Sequence, residues 1–351
     1  MTKKNKEQFP SFERPWEKND NSIWLASTLC LHRNMKKFHF PQRLDKEKRE
    51  SVSNLVTEAV IALPPLKNSQ VFHGETLAPI DRDFLMEHFL VFDTARDSQH
   101  GRSYITEKTG SMLVQVNAHD HMQLHIVDAA GELEEALEKL IVVERGVEEK
   151  LPFAFSNQFG YLTSDACRCG TGLIAHSFVH VPAIVHQGLL GQIKEDDGLS
   201  FSGLQGSPDD LVGDLLVIKN KWAVGLKEET VISSLRTSVL RLVAKEQAAR
   251  ERLSKEKEES LVDKISRAIG ILLHSFTIGT GEALQAISFV KLGIELGWVK
   301  GISVGEVNEL FFDCRRAHLA KRLGIDAYAT PQVHKERAQF LRQVFARVEL
   351  I

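Results

Sequence analysis

The sequence has few cysteines, no long apolar run and almost no excess of charge. Its 351 residues include 4 cysteines, too few and too scattered for a disulfide framework, which indicates a reducing cytoplasm. No uninterrupted apolar stretch approaches the ~18 residues of a membrane-spanning helix, and the polar N-terminus does not resemble a signal peptide. A net charge of −3 gives no reason to expect nucleic acid or a membrane as a partner.

What remains is ordinary globular sequence, long enough for two domains. Hydrophobic residues make up 43% of the chain and charged residues 26%. Residues 1–20 predict a flexible leader, residues 21–254 mix strand and helix patterns, and residues 255–351 show helical patterns alone. The charge-dense run 255–260 is the predicted linker. The sequence therefore predicts an α+β domain followed by a helical one.

Hydrophobic periodicity predicts the individual elements. Residues 111–116 and 121–128 are apolar and rich in Val, Ile and Leu, and they predict two strands joined by a turn. Residues 214–224 predict another strand, and residues 131–151 and 227–253 predict amphipathic helices. Four further helices are predicted to form the C-terminal bundle. They span residues 261–276, 281–299, 307–323 and 334–350.

Cys167 and Cys169 form a C-x-C pair, with His176 and His180 nearby. Structural zinc sites usually show C-x₂₋₄-C spacing and a second pair of ligands, and the chain has no second cysteine pair. A turn built from small residues explains the pair better than zinc binding. We therefore expect no metal site here.

Several segments carry family motifs in order along the chain. Residues 157–185 read NQFGYLTSDACRCGTGLIAHSFVHVPAIV, similar to the block G-Y-L-T-x-C-P-T-N-x-G-T-G-L-R-A. Residues 116–124 are similar to V-N-E-E-D-H-I-R-I, and residues 238–253 to a helix ending in Q-E-R-x-A-R-x-x-L. These blocks belong to the bacterial McsB protein arginine kinases, members of the ATP:guanidino phosphotransferase (phosphagen kinase) family. The tail resembles the McsB C-terminal helical domain, so the resemblance covers roughly residues 20–350.

The resemblance implies a phosphagen-kinase-like, glutamine synthetase-like fold. An antiparallel sheet is flanked by helices, and ATP and the guanidino group meet over the sheet. In the family, arginines hold the nucleotide phosphates, while a glutamate, helped by a cysteine, aligns the guanidinium for attack. Phosphoryl transfer depends mainly on positioning and charge neutralisation, and the rigid fork of arginine suits phosphate.

The chain departs from the family at the charged positions. Uncharged residues stand where four phosphate-binding arginines are expected. These positions are Thr28, Cys30, Gln123 and Ile174. The guanidinium-orienting glutamate is replaced by His119, and the cysteine by Asp165. Asp165 either substitutes as a carboxylate for the guanidinium or, the favoured interpretation, is a solvated turn residue. The retained Arg33-Asn34 and Gly170-Thr171-Gly172 fix the alignment.

Other parts of the predicted site are also altered. Residues 202–207 approximate the family loop R-G-x-x-G-E-G-S without its arginine and glutamate. Lys219 and Lys221 are the new positive charges near the site, and the sequence gives no geometric reason for them to replace the arginines. Of the C-terminal R-D-x-x-R-A motif, which binds phosphoarginine in the family, Arg337 and Ala338 remain. Arg337 is either a pocket remnant or, the favoured interpretation, a residue that caps or solvates the last helix.

Three functions stay open on the sequence. The favoured one is a pseudokinase that acts by protein binding or regulation. The second is an active divergent arginine kinase, with new roles for His119, Asp165, Lys219 and Lys221. The third is a non-catalytic phosphoarginine reader. No cofactor is expected unless the site works, in which case ATP and Mg²⁺ are. The resemblance implies as partners an McsA-like activator, a stress regulator, the Clp machinery, or a second copy through the C-terminal domain.

Overall fold

The computed structural model describes Phe12, residues 14–17, Asn19, and residues 21–89, 100–193, 196–204 and 211–351. Its strands are β1 (Trp24–Arg33), β2 (Gln70–His73), β3 (Ser103–Thr106), β4 (Met112–Val116), β5 (Met122–Asp128), β6 (Phe155–Ser156), β7 (Gly160–Tyr161), β8 (Leu173–His180), β9 (Leu199–Gly203), β10 (Leu215–Asn220), β11 (Val299–Lys300) and β12 (Glu349–Leu350). Its helices are α1 (Lys46–Ile61), α2 (Pro79–His88), α3 (Leu133–Glu148), α4 (Pro182–His186), α5 (Glu228–Glu256), α6 (Glu259–His274), α7 (Thr280–Glu295), α8 (Val304–Asp313), α9 (Arg316–Leu323) and α10 (Thr330–Phe345).

Eight of the described strands form one large sheet, in the order β2-β3-β4-β5-β1-β8-β10-β9, and each neighbouring pair is antiparallel. Strands β6 and β7 form a separate pair, as do β11 and β12. Strand β1 lies near its centre, between β5 and β8. Leu29 and Leu31 of β1 belong to the main core, together with Val143 of α3 and Leu235 of α5. Because side chains alternate along a strand, the residues between them point to the opposite face. The α+β fold predicted from the sequence is confirmed.

The opposite face is covered at one end by a smaller core. Helix α2 supplies Leu85, the sheet supplies Leu113 and Val127, and Phe12 packs against this cluster. At the same end, α2 also contacts α9 of the C-terminal domain. The other end of this face carries the polar residues described below.

The N-terminal segment corrects one expectation. The predicted flexible leader is wrong for residues 14–17, because Trp16 is fully buried and its ring stacks on Phe312 of α8, with centroids 4.0 Å apart. Arg14 forms ion pairs with Glu309 at 3.0 Å and Asp313 at 2.6 Å. The rest of the predicted leader, apart from Phe12 and Asn19, lies outside the described residues.

The C-terminal domain differs from the predicted bundle in its helix bounds and its linker, and residues 299 and 349–350, predicted to be helical, belong to the paired strands β11 and β12. The predicted helix 307–323 is broken, because Arg315 is extended and separates α8 from α9. Glu87 of α2 accepts hydrogen bonds from the backbone N–H groups of Ala317 and His318, so the new helix start is satisfied by a contact with the first domain. The predicted linker is also shorter, since α5 continues to Glu256 and α6 begins at Glu259.

Candidate active-site cleft

Strand register brings the four predicted phosphate positions onto one face of the sheet, which is called the cleft face below. Thr28 and Cys30 lie two residues apart on β1, and Cys30 is opposite Ile174 of β8. Gln123 of β5 is opposite His32 of β1. Each of the four predicted positions is less than 9% exposed. The alignment that grouped these positions thus corresponds to a real cluster, and it contains no charged side chain.

Three histidines that the sequence analysis did not assign to this site lie on the same face. His32 is two residues beyond Cys30, His125 is opposite Cys30, and His176 is opposite Thr28. Burial lowers the pKa of His32, and burial with the nearby Lys219 and Arg168 lowers the pKa of His176 to about 3. Both rings are therefore neutral at pH 7. Once the pairing of β1 with β8 is known, the alternation of side chains along a strand predicts that His32 and His176 lie on this face.

Two cations approach this face. Lys219 of β10 is opposite His176, so this lysine does lie on the cleft side of the sheet. Burial and the neighbouring Arg168 lower its pKa. Arg168 was missed by the sequence analysis, although it stands where the family block has asparagine. Its Nε lies 3.3 Å from Oδ2 of Asp165. Lys221, in contrast, is exposed beyond the end of β10.

A buried carboxylate organises the adjacent turn. Oδ1 of Asp120 accepts hydrogen bonds from Asn34 Nδ2 at 2.6 Å and Ser164 N at 2.7 Å, and Oδ2 lies 2.9 Å from His32 Nδ1. Although burial opposes ionisation, these hydrogen bonds lower the pKa of Asp120 to about 2. Asp120 is thus ionised at neutral pH and fixes the ring of His32.

The two guanidinium-orienting positions lie on neighbouring turns. The backbone oxygen of His119 accepts a hydrogen bond from Ser164 Oγ at 2.7 Å and another from Gln42 Nε2 at 2.9 Å. Asp165 is exposed, and its Oδ1 accepts a hydrogen bond from Cys167 N at 3.0 Å. Asp165 is therefore a turn-capping aspartate whose second oxygen pairs with Arg168. The favoured interpretation was a solvated turn residue, and it did not include the ion pair with Arg168.

The retained Gly170-Thr171-Gly172 segment has a structural explanation. Gly170 has φ +99° and Gly172 has φ +62°, values that favour glycine. A Cβ at Gly170 would lie 2.5 Å from the Ala223 oxygen, and one at Gly172 would lie 2.6 Å from the His32 oxygen. Close backbone packing is enough to require these glycines, so their presence is not evidence for nucleotide binding.

Arg33 is also structural rather than available to a ligand. Its Nε donates to Glu144 Oε1 at 2.9 Å, and its Nη1 donates to the backbone oxygens of His32 and Thr171, each at 2.8 Å. The guanidinium carbon lies 3.6 Å from the ring centroid of Tyr161. Arg33 therefore ties β1 to α3 and to the Gly-Thr-Gly segment.

The structure also shows the surroundings of the remaining predicted positions. Arg337 is 1% exposed and donates to the backbone oxygens of Cys314 at 2.7 Å and Ile278 at 2.9 Å, so it joins segments of the domain rather than capping or solvating its helix. Cys167 is exposed and Cys169 lies 3.6 Å from Thr163 Oγ1. Across the described ranges, no group of three or more His, Cys, Asp or Glu is arranged to hold a metal ion. Of the predicted loop 202–207, residues 205–207 lie outside the described residues.

The fold and the cleft define a class of protein that sequence comparison also finds. Residues 51–249 match the model of the ATP:guanido phosphotransferase C-terminal catalytic domain. The chain belongs to the ATP:guanido phosphotransferase family. Residues 258–350 match the model of the protein-arginine kinase McsB C-terminal domain, so within that family the chain is McsB-like.

Curated relatives agree with this assignment. The chain is 33% identical over 310 residues to a protein-arginine kinase of Chlamydia pneumoniae, covering 86% of this chain and 84% of the relative. It is 34% identical to the Chlamydia muridarum protein-arginine kinase, covering 84% and 83%. It is 32% identical to that of Halothermothrix orenii, covering 92% and 93%.

Solved structures support the fold. The chain superimposes on lombricine kinase with a TM-score of 0.56 and 18% identity, covering 68% of this chain and 73% of that one. It superimposes on the duplicated taurocyamine kinase of Schistosoma mansoni with a TM-score of 0.56 and 17% identity, covering 84% and 49%. No helix in the described part of the chain is both long and apolar enough to cross a membrane.

Acid is expected to destabilise the protein between pH 6.5 and 4. Burial lowers the pKa of His88 to about 3, that of His121 to about 4, and that of His180 well below its usual value. Below about pH 6.5 the unfolded chain protonates these rings while the native protein does not, so the free energy of unfolding falls as pH falls. Near pH 5 these three rings together contribute a slope of about 4 kcal/mol per pH unit, from about 1.4 per proton.

Denaturant unfolding at several pH values measures this slope. Replacing His88 with Gln should reduce the slope by about 1.4 kcal/mol per pH unit. Replacing the exposed His274 with Gln should leave it unchanged. Stability that is constant from pH 7 to pH 5 would contradict the prediction.

Proposed function

We propose that this McsB-like protein has lost efficient arginine phosphotransfer and acts by binding or regulating other proteins. The carrying observation is that Thr28, Cys30, Gln123 and Ile174 lie together on the cleft face, uncharged and less than 9% exposed. These residues do not fit the arginine clamp that the family uses for ATP phosphates. The neutral histidines around them do not replace it.

The magnitude of the loss supports this proposal. A hydrogen bond to a charged group contributes about 1.5–3 kcal/mol, so four such contacts would sum to roughly 6–12 kcal/mol if they were additive. They are not additive, because the four contacts share one ligand. Even half of the lower sum corresponds to ATP binding weakened by about 100-fold.

A second candidate, a divergent kinase, rests on a specific observation. Lys219 lies on the cleft face opposite His176, and Arg168 is close enough to lower the pKa of Lys219. Two cations near the old phosphate positions are a partial substitute for four arginines. Against this candidate, Arg168 is paired with Asp165, and His119 occupies the position of the orienting carboxylate.

Thermal unfolding with Mg-ATP and a phosphotransfer assay separate the two candidates. We expect 1 mM Mg-ATP to raise the melting temperature by less than about 1 °C, since a ligand far below its dissociation constant adds almost no stability. Mass spectrometry should find no phosphoarginine formed on an arginine-rich protein substrate above the level without enzyme. A shift of several degrees together with turnover would establish the divergent kinase.

Matched variants make the result specific. If Mg-ATP does stabilise the protein, Lys219→Gln should abolish the shift, and Lys255→Gln, at an exposed lysine near the end of α5, should not. A shift with a phosphoarginine peptide but not with Mg-ATP would instead identify a phosphoarginine reader. Arg337, whose guanidinium is buried, offers no support for a reader at that position.

The proposed setting is the cytoplasm, where the thiols of the four cysteines would stay reduced. The proposed partners are an McsA-like activator, a stress regulator or the Clp machinery, on the family resemblance. A homodimer through the C-terminal domain is supported by exposed apolar side chains on that domain: Phe276 is 69% exposed and Tyr328 is 49% exposed.

A further inference from the structure

Cys30, His32 and Asp120 form a connected chain on the cleft face. The Sγ of Cys30 lies 3.3 Å from Nε2 of His32, and Nδ1 of the same ring lies 2.9 Å from Oδ2 of Asp120. All three are less than 9% exposed, and Cys30 as a residue is 8% exposed, compared with 0% for Cys314. A thiol, an imidazole and a carboxylate in this order form the arrangement of a thiol nucleophile with its base and a residue that positions the base.

The hydrogen bonds determine the tautomer of His32. Asp120 is ionised, and its Oδ1 is already occupied by Asn34 and Ser164, so Oδ2 must accept from Nδ1–H of His32. With its proton on Nδ1, the neutral ring presents the lone pair of Nε2 to the Cys30 thiol. This is the tautomer that a general base requires.

Gln123 supplies a second, independent indication of a ligand. Its amide nitrogen lies 3.0 Å from Nδ1 of His32, while its Oε1 is buried without a hydrogen-bond partner. Because Nδ1 carries a proton, the amide is better placed with its oxygen toward the ring, which exchanges the two atoms. A buried NH₂ group is then left without an acceptor on the Nδ1 side of the His32 ring. Such a donor suits the anionic group of a ligand.

We propose that Cys30 is a nucleophilic thiol, with His32 as its base and Asp120 as a positioning residue, and that this site takes a small electrophilic compound that carries an anionic group. An anionic group is expected because Lys219 lies on this face opposite His176, and the charges of Lys219 and Arg168 both act on His176. The proposal goes beyond the loss of phosphotransfer and does not depend on it.

The chemical step balances without an external oxidant or reductant. The thiol proton passes to Nε2 of His32, and the sulfur forms a bond to the electrophilic carbon. The bond from that carbon to its leaving group breaks, and the leaving group departs with the electron pair. With iodoacetate as the electrophile, the product is a carboxymethylated Cys30 and iodide, and the proton returns to solvent from His32.

Alkylation of the whole protein tests the proposal, read by mass spectrometry of the peptides that contain each cysteine. At pH 7 we expect iodoacetate to modify Cys30 at least ten-fold faster than the exposed Cys167 in the same molecule. Exposure alone predicts the reverse order. Cys30 should also prefer iodoacetate over neutral iodoacetamide, relative to Cys167, and Lys219→Gln should remove that preference.

The pH profile and a base variant separate activation from simple access. His32 of β1 and His125 of β5 contact the Cys30 thiol. The other titratable groups described on or next to this face are Asp120 of the β4–β5 turn, His176 of β8, Lys219 of β10 and Arg168 of the turn before β8. With His32 as the base, the alkylation rate of Cys30 should change less than two-fold from pH 7 to 9. The alkylation rate of free cysteine, which titrates near 8.5, rises over the same range. His32→Gln should lower the rate at pH 7 at least ten-fold and restore the pH dependence.

Asp120→Asn should shift the pH profile in the same direction while leaving a measurable rate. Melting curves of each variant show whether it is folded, and the comparison of Cys30 with Cys167 in the unaltered protein needs no variant at all. If Cys30 reacts no faster than Cys167, or if its rate is the same in folded His32→Gln, the proposed nucleophilic site is wrong.

Discussion

Replacing Arg33 with Met is expected to lower the free energy of unfolding by about 3–5 kcal/mol. The change removes the partner of Glu144, which is 4% exposed and accepts a hydrogen bond from Arg33 Nε at 2.9 Å. It also removes Arg33 Nη1, the shared hydrogen-bond donor to the backbone oxygens of His32 and Thr171. A buried carboxylate without its cation costs far more than the loss of one surface contact. Urea unfolding followed by circular dichroism measures the change.

Two further variants show that the unpaired charge causes the loss. The double variant Arg33→Met with Glu144→Leu should recover part of the stability, because no charge is then left buried. Arg267→Met should change stability by less than about 0.5 kcal/mol, since Arg267 and its partner Asp263 are 75% and 58% exposed. If Arg33→Met proves as mild as Arg267→Met, the structural role assigned to Arg33 is incorrect.

Replacing Trp16 with Ala is expected to cost about 3–5 kcal/mol, as for other large buried aromatic side chains. Trp16 has no exposed surface, stacks on Phe312 and contacts the rings of His88 and His318. The substitution would leave a cavity where the N-terminal segment, α2 and the C-terminal domain meet. The melting temperature and the denaturant midpoint should both fall.

Trp222 provides the matched control for Trp16. It is 46% exposed, and we expect Trp222→Ala to cost less than about 1 kcal/mol. Equal effects of the two tryptophan substitutions would mean that residues 14–17 do not pack against the C-terminal domain in solution. Such a result would support the flexible leader that the sequence predicted.

The sequence predicted the more regular elements well. The predicted strands at 111–116, 121–128 and 214–224 correspond to β4, β5 and β10, and the predicted helices at 131–151 and 227–253 correspond to α3 and α5. These segments have clear periodicity or a bounded apolar run. Strand β1 shows neither of these patterns, because all ten of its residues are buried and its cleft face carries Thr, Cys and His side chains.

The candidate site was only partly predictable. Motif alignment identified Thr28, Cys30, Gln123 and Ile174, since each aligns with a family arginine next to retained residues. It did not identify His32, because the family motif places no constraint at that position. Arg168 was missed for a related reason: the family block has asparagine at that position, so the motif assigns no charge to it.

The sequence by itself determined the family, the α+β class and the absence of charge at four aligned positions, because each of these depends on local pattern and residue type. Only the tertiary structure decided that His32 contacts both Cys30 and Asp120 and that Lys219 lies on their face. It also decided that Trp16 packs the N-terminal segment against Phe312 of the C-terminal domain. These contacts join residues far apart along the chain. They depend on strand register and on the docking of two domains, and a one-residue shift in register would turn every cleft side chain to the other face.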